Sequence, residues 1–480
     1  MRPTRFELWI GGRFVAAARH AEVVTPFDGV PFATVPQATP AELEQAVAAA
    51  VAAKPRMAAL TAYERSALLR GAATRVAAQA PLFAETIALE SGKPLREAKV
   101  EVERAVQTLE FSAEEARRLH GETLPIDAHP AGKGRTGFTL RVPRGVIGCI
   151  TPFNYPLNLV AHKVGPALAA GNTVVVKPAE ETPCSAYLLA QALHDAGCPD
   201  GAVNVVPGDG QEIGEPLAQH RDVAMVSFTG SRAVGARLRA IAGLKPVTLE
   251  LGGNAPVVID DGADWEEALD RLVVGSFTHS GQVCIHLQRI YATTPRVAAQ
   301  LTEALAARAK QLAIGPPLDP ATEISSLIRT RDVARVGALV EEARSHGARL
   351  ACGGTRQGRA TYLPTVFDAL DDSMEFAREE AFGPVVGVAA VGSFEAALAA
   401  ANRTRYGLQA AIFTRDLERA LAAAERLEAG GVIINDVPSF RVDQMPYGGT
   451  KESGMGREGP RYACEAMSEW KTVVIRRRAT

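Results

Sequence analysis

The sequence contains few cysteines, and none of them stands close to another. Six cysteines are spread over 480 residues, at positions 149, 184, 198, 284, 352 and 464. No CxxC pair occurs, which argues against a cysteine-ligated zinc site and against the disulfide framework of a secreted protein. We expect no metal site, and free cysteines of this kind are typical of a reducing compartment, so a cytoplasmic protein is expected.

Long apolar runs and an excess of one charge are also missing. The sequence has no run of about 18 apolar residues, so no membrane contact is expected. Arg5 and Glu7 interrupt the first ten residues, unlike the apolar region of a secretory signal. The 52 basic and 54 acidic residues nearly cancel, which argues against nucleic-acid binding over the whole chain. The basic cluster 476–478 is interpreted as a solvated tail or a subunit contact.

The length of the chain predicts two or three domains, at about 100–200 residues each. The first third indicates mostly helix. Thr39 and Glu42 form a capping-box pattern around Pro40, and the helix that follows is expected to stop at Pro55. Further helices are predicted over 62–80, 82–90 and 94–119.

From residue 145 onward, short β-branched runs alternate with helical stretches. The runs are Val146–Ile150, Thr173–Val176, Val203–Val206, Ala224–Phe228 and Val247–Leu251. They are almost continuously apolar, as in strands buried on both faces, so a parallel, doubly wound sheet is predicted. A second series begins near 257 and includes the runs 385–391 and 431–435, with long helices over 296–313 and 331–347. The alternating segment 134–143 predicts an extended arm, with which the strand-like run 472–475 could pair.

Polar residues and glycines follow each of the first five strands, where an open parallel sheet binds its ligands. Thr229, Gly230 and Ser231 with Gly235 would let a phosphate approach a helix N-terminus. The usual GxGxxG spacing is absent, so the pattern is not the ordinary dinucleotide fingerprint.

One of the strand ends and one cysteine are chemically suggestive but ambiguous. Lys177 and Glu180 could bind a ribose, and the carboxylate would favour NAD over NADP; the alternative is a surface ion pair. Cys284 lies in a polar stretch beside Gly281, although most free cysteines are buried small hydrophobic residues. A dyad between Cys284 and His279 is a third, less favoured interpretation.

Motifs distributed over the chain carry a resemblance to a known family. They are Asn154-Tyr155-Pro156, Lys177-Pro178-Ala179-Glu180, Phe228-Thr229-Gly230-Ser231, Glu250-Leu251-Gly252-Gly253-Asn254, Gly281-Gln282-Val283-Cys284, Glu380-Ala381-Phe382-Gly383-Pro384 and Pro446-Tyr447-Gly448-Gly449. In this order and spacing the sequence resembles the aldehyde dehydrogenase superfamily, from about residue 5 to about residue 475. It departs from the common pattern at Phe153, Tyr155 and His162.

The resemblance implies oxidation of an aldehyde to a carboxylic acid. Cys284 would add to the carbonyl to form a thiohemiacetal. The Asn154 amide and the backbone N–H of Cys284 would hold the oxyanion. Glu250 would act as general base on the water that hydrolyses the thioester. Glu458 matches a second glutamate to which a proton relay is assigned, whereas Arg289 and Glu469 match structural residues.

The resemblance also implies a nicotinamide cofactor, NAD or alternatively NADP. Lys177 and Glu180 would meet the adenosine ribose, and Glu380 the nicotinamide ribose. The complete set expected at the cofactor is Thr151, Pro152, Phe153, Lys177, Glu180, Gly210, Gly230, Ser231, Gly235, Leu251, Glu380 and Phe382.

The implied fold class is α/β, with two doubly wound parallel-sheet domains of variant Rossmann type and a small β arm. Residues 1–119 and 144–252 would bind NAD, and 253–455 would carry the nucleophile. Segments 120–143 and 460–480 would form an oligomerisation arm in a homodimer or homotetramer.

The substrate is the least defined part of the prediction. The loop 439–444 lies where the family places its substrate-access loop, and Arg441 could receive a carboxylate, phosphate or sulfonate tail. A subunit salt bridge or a solvated loop charge is the alternative. Tyr155 and Ile285 are the other substrate candidates, and the motifs resemble the lactaldehyde, glyceraldehyde-phosphate and semialdehyde branches, which favours a small polar or anionic aldehyde.

Three other functions remain open from the sequence. A CoA-acylating aldehyde dehydrogenase would release the acyl group to a thiol, but such enzymes tend to lack a base at the position of Glu250. A non-catalytic NAD-binding homologue would retain the fold alone. A cysteine hydrolase would use Cys284 without a cofactor.

Overall fold

The computed structural model of the chain describes residues 4–477. Residues 1–3 and 478–480 lie outside the described residues, and with them Arg478 of the predicted basic tail. The α-helices are Pro40–Ala59, Ala62–Ala78, Ala80–Ser91, Leu95–Arg118, Asn158–Ala169, Cys184–Asp195, Glu215–Gln219, Arg232–Ile241, Leu269–Phe277, Pro295–Ala309, Thr330–Ser345, Glu375–Arg378, Phe394–Asn402, Leu417–Arg426 and Pro460–Ala466.

The first sheet is built on a core of parallel strands. In spatial order its strands are Arg13–Val15, Leu8–Ile10, Val203–Val205, Thr173–Lys177, Val146–Ile150, Val223–Thr229, Val247–Glu250 and Gly454–Met455. The five predicted runs form its parallel centre. Successive residues of a strand face opposite cores: Val174 and Val176 pack with one group of helices, and Val175 with another. This burial on both faces is why the runs are continuously apolar.

The second sheet follows the same plan. Its strands, in spatial order, are Arg349–Cys352, Thr365–Asp368, Val385–Ala390, Leu287–Ala292, Ala255–Ile259, Gln409–Phe413 and Gly431–Ile434. Neighbouring strands are parallel except at the first edge. Both predicted strand series are therefore present, and the predicted α/β fold class is confirmed. The domain boundaries remain a prediction.

The arm is a third sheet, in the order Ser468–Arg476, Arg135–Pro143, Thr123–Leu124. The first two strands pair antiparallel along their whole length, from Ser468 opposite Pro143 to Arg476 opposite Arg135. The predicted pairing of the terminal strand with the extended segment is confirmed. The long strand Ser468–Arg476 lies at the edge of this sheet, so its outer backbone groups face no strand within residues 4–477.

Two expectations for the first third are wrong. Helix Pro40–Ala59 begins at the predicted capping box but continues through Pro55. The proline removes only the bond to the carbonyl of Val51, and burial of Met57 in the core holds the last turn in place. The segment before Pro40 is mainly strand rather than helix: it includes the pair His20–Val24 and Pro31–Pro36.

The remaining short elements join distant parts of the chain. Strand Gly454–Met455 pairs with Val247–Glu250, although it comes from the segment predicted for the second domain. This pairing covers an edge that would otherwise be exposed. The small two-stranded pairs are Arg356–Gln357 with Thr361–Tyr362 and Tyr406–Gly407 with Thr450–Lys451. No helix among residues 4–477 has both the length and the apolar character needed to cross a bilayer.

Arg289 ties the centre of the second sheet to its surroundings. The side chain is fully buried on strand Leu287–Ala292. Its guanidinium donates to the backbone carbonyls of Asn254, Ala400 and Ala401 and to the hydroxyl of Tyr291. These bonds satisfy carbonyls that are buried away from water, in agreement with the structural role expected for this residue.

Arg289→Ala is expected to lower the free energy of unfolding by about 3 kcal/mol, because it leaves several buried carbonyls without donors. Urea unfolding followed by circular dichroism measures the change. Arg349→Ala is the matched control: its side chain is 77% exposed and pairs with Asp368, so its loss is worth less than about 1 kcal/mol. Equal effects of the two substitutions would refute the buried role.

Candidate active site

A cavity of about 520 Å³ lies where the strand order of the first sheet reverses. Strands Val146–Ile150 and Val223–Thr229 are neighbours there, and their connections run to opposite sides. This is the position at which open α/β sheets bind ligands. The segments that follow the two strands, 152–155 and 229–233, both line the cavity, and residues of the second sheet close its other side.

A tight loop brings Cys284 to the cavity. His279, Ser280 and Gly281 have successive positive φ angles of 48°, 53° and 72°. Two non-glycine residues in the left-handed region are unusual and are held by their surroundings. The backbone N–H of His279 donates to Glu97 at 2.8 Å. A Cβ at Gly281 would collide with the backbone of Gly383, so only glycine fits there.

The loop is also fastened to the first sheet. The amide Nδ2 of Asn154 donates to the carbonyl of Gln282 at 2.9 Å. A Cβ at Gly253 would collide with the carbonyl oxygen of Cys284. The motifs that contain Asn154, Gly253 and Cys284 are therefore in direct contact, although long stretches of sequence separate them.

The thiol of Cys284 has a polar neighbour. Its Sγ lies 2.8 Å from the hydroxyl oxygen of Tyr447, whose ring carries the guanidinium of Arg441 at 3.6 Å from the ring centroid. Burial raises the pKa of the Cys284 thiol to about 12, although the Tyr447 hydroxyl and the charge of Arg441 act in the opposite direction.

Two buried carboxyl groups in the cavity have opposite environments. Neither oxygen of Glu250 accepts a hydrogen bond from any group of residues 4–477. Burial, followed by the charge of Glu458, raises the pKa of Glu250 well above its usual range. Glu458 accepts from Lys163 at 2.8 Å and from Arg441 at 3.2 Å. Burial opposes its ionisation, but Lys163, His162 and Arg441 lower the pKa of Glu458 to about 2. Burial and the neighbouring charge thus favour the protonated form of Glu250, whereas the neighbouring cations favour the ionised form of Glu458.

The structure brings most of the predicted site residues together. Those that line the cavity are Pro152, Phe153, Asn154, Tyr155, Gly230, Ser231, Glu250, Leu251, Cys284, Ile285, Glu380, Phe382, Arg441 and Glu458. Ser231 caps helix Arg232–Ile241 by accepting from the backbone N–H of Val234, so the N-terminus of this helix faces the cavity. Glu380 accepts from the backbone N–H of Gly253 at 3.0 Å.

Five predicted cofactor residues lie outside the cavity: Thr151, Lys177, Glu180, Gly210 and Gly235. Lys177 is buried at its strand end, and its Nζ lies 3.7 Å from the largely exposed carboxylate of Glu180. This geometry fits both the ribose site and the alternative ion pair. Gly235 is close to Leu251, and a Cβ at this position would collide with the Leu251 side chain, so packing also favours glycine there.

Two alternatives from the sequence do not hold. Both ring nitrogens of His279 are buried and lack a hydrogen-bond partner within the described residues, so no Cys284–His279 dyad is formed. Arg441 is not a solvated loop charge either, because its side chain is 7% exposed and pairs with Glu458.

Sequence reasoning missed a group of buried partners. Asp443 accepts hydrogen bonds from Arg104, Asn158 and His162, and so fixes the loop 439–444 against helix Leu95–Arg118. Tyr447 belongs to one of the motifs that were recognised, but nothing in the pattern pointed to its contact with the thiol. No group of side chains placed to hold a metal ion occurs in the part of the chain that the structure describes.

Alkylation of Cys284 by iodoacetamide is expected to accelerate about ten-fold per pH unit between about pH 7 and about pH 9, because the reactive thiolate is the minor form throughout this range. Mass spectrometry of the labelled peptide measures the rate. Cys284→Ala is the control and should abolish labelling, since the other five cysteines are buried. A rate that levels off near neutral pH would contradict the raised pKa.

Comparison with known proteins agrees with this geometry. The chain matches the aldehyde dehydrogenase family over residues 14–473. It is 44% identical to a 3-sulfolactaldehyde dehydrogenase of Priestia aryabhattai, in an alignment that covers 98% of each chain. It is 36% identical to a lactaldehyde dehydrogenase of Methanococcus aeolicus, over 98% of this chain and 99% of the relative.

Solved structures of aldehyde dehydrogenases have the same fold as this chain. Aldehyde dehydrogenase 21 of Physcomitrella patens, in complex with the reaction product succinate, has a TM-score of 0.95 and 38% identity over 99% of each chain. A glyceraldehyde-3-phosphate dehydrogenase of Methanocaldococcus jannaschii with NADP has a TM-score of 0.91 and 36% identity, over 96% of this chain and 100% of the other. A betaine aldehyde dehydrogenase mutant of Staphylococcus aureus with NAD⁺ has a TM-score of 0.94 and 31% identity, over 99% and 98%.

The family match extends over nearly the whole chain, and all but one of the motifs that suggested it meet around one cavity. The protein belongs to the aldehyde dehydrogenase family and is an oxidoreductase that acts on aldehydes.

Proposed function

We propose that the protein oxidises a small anionic aldehyde to the carboxylic acid with NAD as cofactor, through a thiohemiacetal and a thioester on Cys284. The observation that carries the proposal is the arrangement in one cavity of the Cys284 thiol, the hydrogen-bond-free carboxyl of Glu250 and the buried cation of Arg441. These are a nucleophile, a base and an anion-binding group.

The residues at the strand ends fit a nicotinamide cofactor. The N-terminus of helix Arg232–Ile241 lies at the cavity wall behind Gly230 and Ser231, where backbone N–H groups can receive a pyrophosphate. When bound, the cofactor accepts the hydride that leaves the substrate. The carboxylate of Glu180 would repel a 2′-phosphate and favours NAD, and the NAD⁺ and NADP complexes of the two structural neighbours keep NADP as the alternative.

In the first step, Cys284 Sγ adds to the aldehyde carbon to form a thiohemiacetal. The developing oxyanion would accept hydrogen bonds from the free N–H of the Asn154 amide and from the backbone N–H of Cys284. The bond from Asn154 to Gln282 uses one amide hydrogen and orients the other. Loss of one such donor typically costs about 10²–10³ in rate.

After hydride leaves, the thioester on Cys284 must be hydrolysed. Glu250 takes a proton from water in this step, and its raised pKa makes it a stronger base once it is ionised. Glu458 is held as an anion by Lys163 and Arg441, so we revise the proton relay expected from the sequence. Its charge instead raises the affinity of Glu250 for the proton.

Arg441 is the proposed site for the anionic tail of the substrate. Its Nε is buried and has no hydrogen-bond partner among the residues that the structure describes. Arg104 and Arg271 also line the cavity, but each makes two hydrogen bonds to one aspartate, Asp443 and Asp436 respectively. Arg441 instead shares the single negative charge of Glu458 with Lys163, which leaves one positive charge in excess. One tyrosine ring separates Arg441 from the thiol, which limits the aldehyde to a short chain. Three relatives are named with an anionic compound: one for sulfolactaldehyde, one for glyceraldehyde 3-phosphate, and one in complex with succinate.

Formation of NADH from NAD tests the proposal. A panel of propanal, benzaldehyde, lactaldehyde, succinic semialdehyde, glyceraldehyde 3-phosphate and 3-sulfolactaldehyde is compared for the wild type, Cys284→Ala and Arg441→Met. Cys284→Ala should lose all turnover. Arg441→Met should lower kcat/KM for the anionic members about 100-fold more than for propanal: the lost charge near Cys284 affects all aldehydes alike, whereas the lost buried ion pair affects only the anionic ones.

Arg271→Met is the matched control, because it removes a paired cation from the same cavity and should spare the anionic preference. If product forms only when CoA is supplied, the acyl group is transferred to CoA rather than hydrolysed. Binding of NAD without turnover of any aldehyde would favour the non-catalytic homologue.

We further propose that the arm sheet joins copies of this chain into a homodimer or homotetramer. Strand Ser468–Arg476 has one open edge, and Trp470, Val474 and Ile475 on it are about half exposed, as is Leu140 on the neighbouring strand. A long edge strand with exposed apolar side chains is a template for pairing with another chain.

Val474→Glu should weaken assembly at least about ten-fold in Kd, because a charge would be buried in the interface. Size-exclusion chromatography with light scattering measures the mass as the protein is diluted. Leu244→Glu changes a fully exposed apolar residue away from the arm and should leave the mass unchanged. A wild-type mass for Val474→Glu at every concentration would exclude the arm as the interface.

A further inference from the structure

Tyr447 has a place in the site that the mechanism above does not use. Its hydroxyl lies 2.8 Å from Cys284 Sγ, and its ring is 3% exposed. The residue stands 163 positions from Cys284 in the sequence, so only the tertiary fold brings the two side chains together. A phenol at this distance from a nucleophilic sulfur is within hydrogen-bonding range and can donate to a thiolate.

The position of the Tyr447 hydroxyl is set by its backbone. Tyr447 and Glu458 exchange two backbone hydrogen bonds, of 3.1 Å and 2.7 Å, in an isolated antiparallel bridge. Glu458 is itself held by Lys163. The neighbouring Gly448 lies so close to Glu250 that a Cβ would approach Oε1 to 2.8 Å. The phenol is therefore preorganised with respect to both the sulfur and the base.

Arg441 covers one face of the Tyr447 ring. Its guanidinium carbon is 3.6 Å from the ring centroid, the geometry of a close cation–π contact. A cation on the ring draws electron density from it, so the hydroxyl becomes a better hydrogen-bond donor. Because Arg441 also pairs with Glu458 at 3.2 Å, the cation is fixed over the ring.

We propose that Tyr447 is a further catalytic residue, whose hydroxyl donates a hydrogen bond to the Cys284 thiolate and so increases the fraction of ionised nucleophile. The thiol proton leaves to water, and the tyrosine keeps its own proton throughout. The proposal rests on the proposed function only in taking Cys284 as the nucleophile.

The electrostatics of the site give this hydrogen bond its importance. The cavity walls remove water from the sulfur, and this burial raises the pKa of the thiol to about 12. The Tyr447 hydroxyl and the Arg441 charge both lower it, while Glu380 and Glu250 oppose them. A thiol in such surroundings needs donors aimed at the sulfur if it is to react at neutral pH.

Tyr447→Phe tests the proposal, because it removes the hydroxyl and keeps the ring beneath Arg441. The pH dependence of Cys284 alkylation by iodoacetamide is measured on the full chain without substrate. Loss of one hydrogen bond to a charged group should slow alkylation about ten-fold at neutral pH and shift the profile to higher pH. Tyr406→Phe is the matched control, since it removes a hydroxyl from the same cavity that bonds to Glu379 rather than to the sulfur. Its alkylation rate should equal that of the wild type.

An unchanged rate and pH profile in Tyr447→Phe would overturn the proposal and leave the residue a packing role. Because the thiolate is the minor form over this range, the shift appears as a parallel displacement of the profile by about one pH unit. A changed slope of the profile, or an equal slowing in Tyr406→Phe, would also overturn the proposal, because altered access would then be the cause. The outcome is independent of the proposed function: a shifted profile supports Tyr447 even if the wild type oxidises no aldehyde of the panel, and normal aldehyde oxidation with an unshifted profile refutes Tyr447 alone.

Discussion

The site depends on the contact that holds the nucleophile loop against the end of the first sheet. Gly253 leaves room for the carbonyl oxygen of Cys284. The Asn154 amide donates a hydrogen bond to the carbonyl of Gln282, two residues before Cys284. Gly281 permits an equally close approach to Gly383 on the other side. These contacts require the absence of a side chain, so a larger residue would move the sulfur. They place it where the carboxyl ends of the strands of the first sheet meet the segments that lead into the strands of the second sheet.

Buried charge is the second constraint. Lys163, Glu458 and Arg441 alternate in sign in a region with little water, where each interaction is stronger than at the surface. Glu250 has no part in this pairing, and burial and the charge on Glu458 raise its pKa. The same network fixes Arg441 over Tyr447. The electrostatics of base, nucleophile and anion site are therefore linked through a few buried side chains, which is costly to assemble and sensitive to substitution.

Much of the fold could be predicted because its strands are buried on both faces. Continuous β-branched runs such as Val146–Ile150 and Val223–Thr229 are detectable without tertiary information. The residues that follow these two strands lie at one edge of the sheet, as predicted. The errors arose where tertiary packing overrides local preference. Pro55 stays within its helix because Met57 is anchored in the core, and the short edge strands before Pro40 have little pattern of their own.

The sequence by itself determined the α/β class, the family and many of the groups that line the cavity, because these depend on periodicity and on motifs of adjacent residues. Only the tertiary structure decided which side chains touch. The contact of Tyr447 with Cys284, the burial of Arg441 and the isolation of His279 could not be read from the chain. Each arises from the packing of segments far apart in sequence, and burial and neighbouring charge then set the protonation and reactivity of the groups that meet.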